Sequence, residues 1–367
     1  MQEFEEISHT GGKIEFIYDP KQGIQARVSN SSFNACTMFE VCVSDEGEVI
    51  DTVPIRGMQT APTKPKHLLP AFVLSDKEGL FGRVCPKCES YFRTNEGAIS
   101  YLTCPYCLHN EKSVRFTTRN QQDFLKYYCD KLIEAATSKK NIIIDINKAI
   151  EELKDNKPKW LYAEKRQQYL YVCKNCKCKY DILGEYGACP CCEETNFREV
   201  INGKLDKLLA FFDKKNLSIS DRIERSSEWC NFTSNCVSYF ESMANELKKY
   251  INFIPMTKKR RQNLNNLSFQ NVLKANERLL EWFDINYIES IPKGDCEFLN
   301  KMFNKRHLIT HKNCRVDKEY LQNTNDKSLI VNQEVRIKST EVKRLIPLVK
   351  KISNKLLDDF EGITSPE

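Results

Sequence analysis

No run in this chain approaches the roughly 18 consecutive apolar residues that a membrane-spanning helix needs. The acidic start Met1-Gln-Glu-Phe-Glu-Glu6 also lacks the positive flank and apolar centre of a secretion signal. A cytoplasmic location with no membrane partner is the expectation. Charge of one sign is scarce too: a net +6 over 367 residues is compatible with nucleic-acid binding without requiring it. Histidine is rarer still, with five in the whole chain. Any imidazole chemistry therefore has few places to reside.

Cysteine, by contrast, is abundant at 17, and its grouping argues for metal rather than disulfides. Cys85-Pro-Lys-Cys88 is followed after fifteen residues by Cys104-Pro-Tyr-Cys107. Cys173-Lys-Asn-Cys176 is followed after twelve by Cys189-Pro-Cys-Cys192. Each framework has the spacing of a four-thiolate zinc ribbon, with iron as the minor alternative. Two structural Zn²⁺ sites are expected, with no open position for catalysis. In the second framework Cys178 and Cys191 are spare thiols, so the ligand set can be permuted, although matched Cys-x-x-Cys pairing favours Cys173, Cys176, Cys189 and Cys192. A redox role fits less well, because redox pairs usually stand singly and these come doubled. The stretch from Tyr91 to Leu102 is expected to form the hairpin joining the first two knuckles, and His109 to be a surface residue. Cys36, Cys42, Cys129, Cys230, Cys236 and Cys296 read as ordinary buried thiols.

The expected fold class is α+β multidomain. Residues 1–75 read as a β-rich domain and linker, with strands at Lys13–Tyr18 and Met38–Val43 and stiffening prolines at 54, 62, 65 and 70. Residues 81–116 and 166–200 are the two ribbons, bracketing a helical insert at 117–165 with helical patterning over Gln121–Leu132 and Ile142–Leu153. Residues 204–362 are wholly helical in pattern. Phe232, Cys236, Tyr239, Phe240, Met243, Leu247, Tyr250 and Ile254 mark one long amphipathic helix; Val272, Leu273, Leu279, Leu280, Phe283 and Tyr287 mark another. A last helix carries Val342 to Phe360, with Thr340 as its expected cap. Such helices with short connections form a bundle. The basic run Lys258-Lys-Arg-Arg261 precedes one helix and reads as either a phosphate contact or a solvated face.

Two of the five histidines sit together in Arg306-His307-Leu-Ile-Thr-His311. The preceding helix carries an apolar stripe of Phe298, Leu299, Met302, Phe303 and Ile309, ending near Asn313. Arg306 projects near the middle of that stripe, which calls for a partner or a use. His307 and His311, four apart, share a face. An arginine paired with a buried carboxylate beside two partly exposed histidines is the plain structural reading.

This Arg, polar, three residues, His pattern resembles the HEPN superfamily of helical domains, many of them metal-independent endoribonucleases. The following His311-Lys-Asn-Cys-Arg-Val-Asp317-Lys-Glu-Tyr320 and the later Val331–Lys338 segment are similar as well. Cys314 departs from the glycine often found at that turn. The resemblance covers roughly residues 204–362. It implies that Arg306 and His311 are catalytic, that His307 supports them, and that RNA is cut to 2′,3′-cyclic phosphate and 5′-hydroxyl ends without a catalytic cofactor. It further implies a homodimer with facing motifs and fits a toxin or antiviral-defence role, with a protein partner or activator. The runner-up is a non-catalytic RNA- or protein-binding module; an antitoxin-like HEPN or nucleotidyl-transferase partner ranks third, because such domains need not keep both Arg and His.

Overall fold

The computed structural model describes residues 3–9, 11–30, 35–43, 49–54, 68–97, 99–152, 158–219 and 221–364. Pro62 and Pro65 lie outside them. The chain divides into two compact units, Met1–Thr195 and Asn196–Glu367. It is an α+β multidomain protein, with sheets in the first unit and helices alone in the described part of the second.

The first unit carries strands β1 (Glu6–Ile7), β2 (Gly12–Asp19), β3 (Gly23–Asn30), β4 (Ala35–Val43), β5 (Val49–Pro54), β6 (Leu68–Leu74), β7 (Phe81–Val84), β8 (Tyr91–Thr94), β9 (Tyr101–Thr103) and β10 (Asn110–Lys112). Helix α1 (Arg119–Ser138), β11 (Ile142–Asp145) and α2 (Ile146–Glu151) follow, then β12 (Glu164–Lys165), β13 (Tyr169–Val172) and β14 (Lys179–Ile182). Strand β2 buries Ile14 and Phe16 on alternate positions, the period-2 signature of a half-buried strand. Its hairpin to β3 turns on Asp19, whose carboxylate accepts the Lys21 and Gln22 N–H groups. Gly23 completes the turn at φ +77°, where a side chain would be strained.

The segment expected as helix from Ile142 splits into the strand Ile142–Asp145 and the helix Ile146–Glu151; Leu153 lies outside the described residues. Ile142–Asp145 joins β2 antiparallel, giving a β11-β2-β3 sheet. Three consecutive isoleucines favour a strand because β-branched side chains fit the pleat. Helix α1 opens with a Thr118/Gln121 capping box and buries Phe124, Tyr128, Leu132 and Ala135 in one core with Ile14, Phe16 and Ile144. The insert therefore roofs the N-terminal sheet. Pro70 lies inside β6, at the edge of a β5-β4-β6 sheet, where a missing N–H is tolerated.

The two cysteine frameworks are not separate ribbons. Strand β14 pairs with β8, making a four-stranded β13-β14-β8-β7 sheet. The segment from Tyr91 to Leu102 is consequently no hairpin: β8 pairs back with β7, and β9 pairs forward with β10. Beneath the sheet Arg93, 1 % exposed, binds Asp181 and Asp76 (Nη1–Oδ2 2.5 Å to Asp76). Such a buried pair is costly to break from one side only.

A second buried node joins the sheet to α1. Glu164 accepts from Tyr91 Oη (2.7 Å) and Gln121 Nε2 (3.1 Å), and Gln121 also donates to the Gly82 carbonyl. A Cβ at Gly82 would overlap the Glu164 carboxylate, which these bonds hold in place. Gly82→Ala is expected to cost about 1–3 kcal/mol as an overpacking change, read as a lowered Tm. Burial pushes the Glu164 carboxyl above its ordinary value. An acid raised on folding holds its proton more tightly when folded, so its ionisation opposes folding. That cost is absent below the unfolded-state value and grows as pH rises through it. Glu164→Gln should flatten this dependence, gaining on the wild type in Tm as pH rises from acid to neutral.

The second unit comprises α3 (Phe197–Ser218), α4 (Arg222–Ile251), α5 (Lys258–Asn265), α6 (Val272–Phe283), α7 (Lys293–His311), α8 (Lys318–Thr324) and α9 (Ser339–Thr364). Helices α3, α4 and α9 pack on one another, and α7 packs against α4, α6, α8 and α9. Phe232, Cys236, Phe240, Met243 and Leu247 are buried on α4, as are Val342, Leu345, Val349, Ile352 and Leu356 on α9, and the two helices pack together. Tyr287 lies past the end of α6 and Ile254 past the end of α4. Thr340 sits inside the first turn of α9; the helix instead starts with Glu341 accepting the Lys338 N–H. The basic run is not ahead of a helix: it is the first turn of α5, capped by Thr257.

Candidate functional site

The four Cys-x-x-Cys pairs adopt one repeated turn. In each, the N–H four residues beyond the first cysteine donates to that cysteine's carbonyl: Glu89 to Cys85, Leu108 to Cys104, Lys177 to Cys173 and Glu193 to Cys189. Each donor residue is left-handed, with φ between 54° and 65°. Each first cysteine in turn donates its N–H to the carbonyl five residues on. This turn aims both sulfurs of a pair at one point, at the cost of a strained residue.

The pairs meet two by two. Cys85, Cys88, Cys104 and Cys107 form one group able to hold a metal ion, and Cys173, Cys176, Cys189 and Cys192 a second. Sγ–Sγ separations are 3.6 Å for Cys85–Cys107 and Cys88–Cys104, and 3.5 Å for Cys173–Cys192 and Cys176–Cys189. A disulfide needs about 2.05 Å. Sulfurs tetrahedrally placed at about 2.3 Å from a zinc ion lie about 3.8 Å apart. Crowding makes the thiols titrate as a set: the hydrogen bond from Cys104 lowers Cys107 to about 5 and pushes Cys104 itself up, while burial raises Cys85 to about 11. Sulfurs too far apart for disulfides and spaced as in a tetrahedral shell fit a metal ion better than a cluster of neutral thiols.

Cys178 closes the third knuckle through its carbonyl but is not one of its paired cysteines, yet it is 1 % exposed and its Sγ lies 3.3 Å from Thr94 Oγ1. With Cys189 and Cys191 it forms a third thiol group. His109 is half-buried, its ring binds Glu111 (3.1 Å), and it does not belong to the metal-ligating group.

In the second unit, the motif residues point to two different neighbours. Arg306 Nη2 donates to Glu241 (2.9 Å) and to Ser238 Oγ (3.3 Å), both on α4. Burial raises the Glu241 carboxyl, and the guanidinium pulls it back only in part. The most buried charge on α7 is Lys305 instead, bound to Glu341 at 2.6 Å. Phe298, expected in the apolar stripe, is half-buried with the Arg344 guanidinium 4.3 Å above its ring. His307 and His311 are brought together, ring centroids 4.9 Å apart, His311 exposed. Asn313 and Cys314 end the segment, both left-handed at φ 49° and 60°, with the Cys314 N–H donating to Leu308. Cys314 thus adopts the conformation that glycine takes at least cost.

His307 lines a cleft of about 660 Å³ with Lys259, Lys274, Arg278, Trp282, Asn304 and Tyr320; neither Arg306 nor His311 lines it. Glu281, Asp317 and Glu319 also face it, and Arg278 is tied to Glu281, so the cleft is polar rather than uniformly basic. Its mouth includes the start of α5, where Lys258, Lys259, Arg260 and Arg261 fill a first turn with no acidic residue. Four cations at the positive end of a helix dipole repel it, an arrangement that an anionic ligand would offset. The cleft cations Lys274 and Arg278 carried no signal in the sequence, since they sit on an ordinary amphipathic helix.

Compared with family models, curated proteins and solved structures, the chain matches none.

Proposed function

We propose that this protein is a metal-independent endoribonuclease of the HEPN type, carrying two structural zinc ions in its N-terminal unit. The observation that carries the reading is the His307–His311 pair, 4.9 Å apart, with His307 on a polar cleft. RNA supplies its own nucleophile. One imidazole takes the proton of a 2′-hydroxyl as that oxygen bonds to phosphorus; the other, as imidazolium, protonates the 5′-oxygen as its bond to phosphorus breaks. The products are a 2′,3′-cyclic phosphate and a 5′-hydroxyl. Lys259, Lys274 and the rest of the basic first turn of α5 are suited to hold the phosphate chain, and Trp282 offers a stacking face. Arg306 has the fork that stabilises a phosphorane-like charge, provided it leaves Glu241. The zinc ions supply no chemistry: each closed four-thiolate shell holds the fold together.

The resemblance also supports a homodimer with facing motifs, a toxin or antiviral-defence setting, a cytoplasmic location and an activating partner. Sedimentation of the full chain tests the first of these. The Arg306–Glu241 ion pair favours a second reading, binding of RNA without cleavage, because it leaves the guanidinium engaged. Incubating wild type and His311→Ala with RNA in EDTA separates the two. Cyclic-phosphate ends from the wild type alone support cleavage. Salt-dependent binding with no cleavage by either, lost when Lys258 to Arg261 are neutralised, supports the binding module.

A further inference from the structure

The second cysteine framework holds more sulfur than one ion requires. Cys173, Cys176, Cys189 and Cys192 satisfy a tetrahedral site, and the four repeated turns leave Cys178 and Cys191 outside it. Yet the Sγ atoms of Cys178, Cys189 and Cys191 also lie within 4.8 Å of one another. For three sulfurs about 2.3 Å from a common ion, spacings near 4 Å are expected, so this triangle needs little adjustment to close on a metal. Cys189 belongs to both groups, and a thiolate sulfur has lone pairs enough to bridge two ions.

The surroundings fit a soft cation. Cys178 and Cys189 are buried in the core shared with Phe92, Tyr180 and Ile182, which leaves few competing oxygen donors. Thr94 Oγ1, 3.3 Å from Cys178, can hydrogen-bond the thiolate, and the Lys179 carbonyl, 3.7 Å away, accepts from the thiol in the metal-free form. Cys191 is half-buried, giving an entry path on its side. A thiolate triangle with a free fourth position binds an ion that exchanges with solvent, unlike a closed four-thiolate shell.

We propose that Cys178, Cys189 and Cys191 hold an additional, exchangeable zinc ion that shares the Cys189 sulfur with the ion bound by Cys173, Cys176, Cys189 and Cys192, making a six-cysteine, two-metal cluster. This rests on the reading that the two four-cysteine groups bind zinc. Binding displaces the protons of Cys178 and Cys191 to solvent and oxidises nothing.

The test is metal analysis of the full chain after equilibration with buffered free zinc. The wild type should hold three zinc ions, and Cys191→Ser and Cys178→Ser two each, with the remaining two unaffected. Titration with a competing chelator should remove one ion from the wild type well before the others. In the cobalt-substituted wild type, a shared thiolate should couple the two ions magnetically and diminish their paramagnetic resonance signal; Cys191→Ser should restore it. Two ions in the wild type at saturating zinc would overturn the bridged site and leave the two-ion reading standing. Three ions retained in Cys191→Ser would place the third elsewhere and overturn it as well. No bound zinc in any form would instead overturn the reading on which it rests.

Discussion

Cys104→Ser should strip zinc from both four-cysteine groups, not from its own alone, and unfold the sheet between them. Cys104 is fully buried and belongs to a single core with Cys85, Phe92, Phe116, Cys173, Tyr180 and Cys189. Structural zinc is worth about 10–16 kcal/mol in isolated finger peptides, comparable with or larger than the roughly 5–15 kcal/mol that stabilises a whole domain. A serine in the shell lowers that contribution steeply, because its hydroxyl is a poor ligand at neutral pH. The loss spreads because β8, which follows the first knuckle, pairs with β14, which follows the third. The readouts are zinc content, expected to fall by more than one ion per chain, and rapid proteolysis within 81–195. Cys296→Ser, outside both groups, should change neither by a measurable amount. A Cys104→Ser protein that kept full zinc and an unchanged Tm would refute Cys104 as a metal ligand and the coupling of the two groups; a wild type without zinc would refute the metal reading.

The sequence signals that carried furthest were local. A Cys-x-x-Cys turn is closed by bonds spanning four and five residues, so its spacing is visible without knowing the fold. The stripes of α4 and α9 were legible for the same reason, since helical contacts recur at three and four; on α6, Val272 and Leu279 are buried but Leu280 is exposed. Long-range pairing has no such mark. Arg93 and Asp181 stand 88 residues apart, and nothing around either announces that β8 will find β14. That missing partner is why Tyr91 to Leu102 read as a hairpin. Ile142–Asp145 read as helix and is a strand on other grounds, because a short apolar run fits a buried strand or a helix equally and β2 decided it. Around the motif, periodicity placed an arginine on an apolar face and implied a partner. It carried no means of choosing Glu241, and it did not single out Lys305 as the more buried charge.

His307→Ala and His311→Ala should each lower RNA cleavage by about 10²–10⁴-fold, the span typical of a lost general acid or base. The double variant should fall little further, since groups acting in one step are not additive. Both should keep the wild-type Tm, because His311 is exposed and His307 only half-buried. Arg306 demands a different design. Arg306→Ala removes a phosphate fork, but it also leaves the Glu241 carboxylate buried without its cation. A loss of activity in that variant alone is therefore ambiguous. Pairing it with Glu241→Gln removes the stranded charge. If Arg306 contacts the transition state, the double variant recovers stability while activity stays about 10²–10³-fold down. If Arg306 only fastens α7 to α4, stability and cleavage return together. Glu241→Gln by itself then completes the cycle: freeing the guanidinium should raise cleavage in the first case and leave it unchanged in the second.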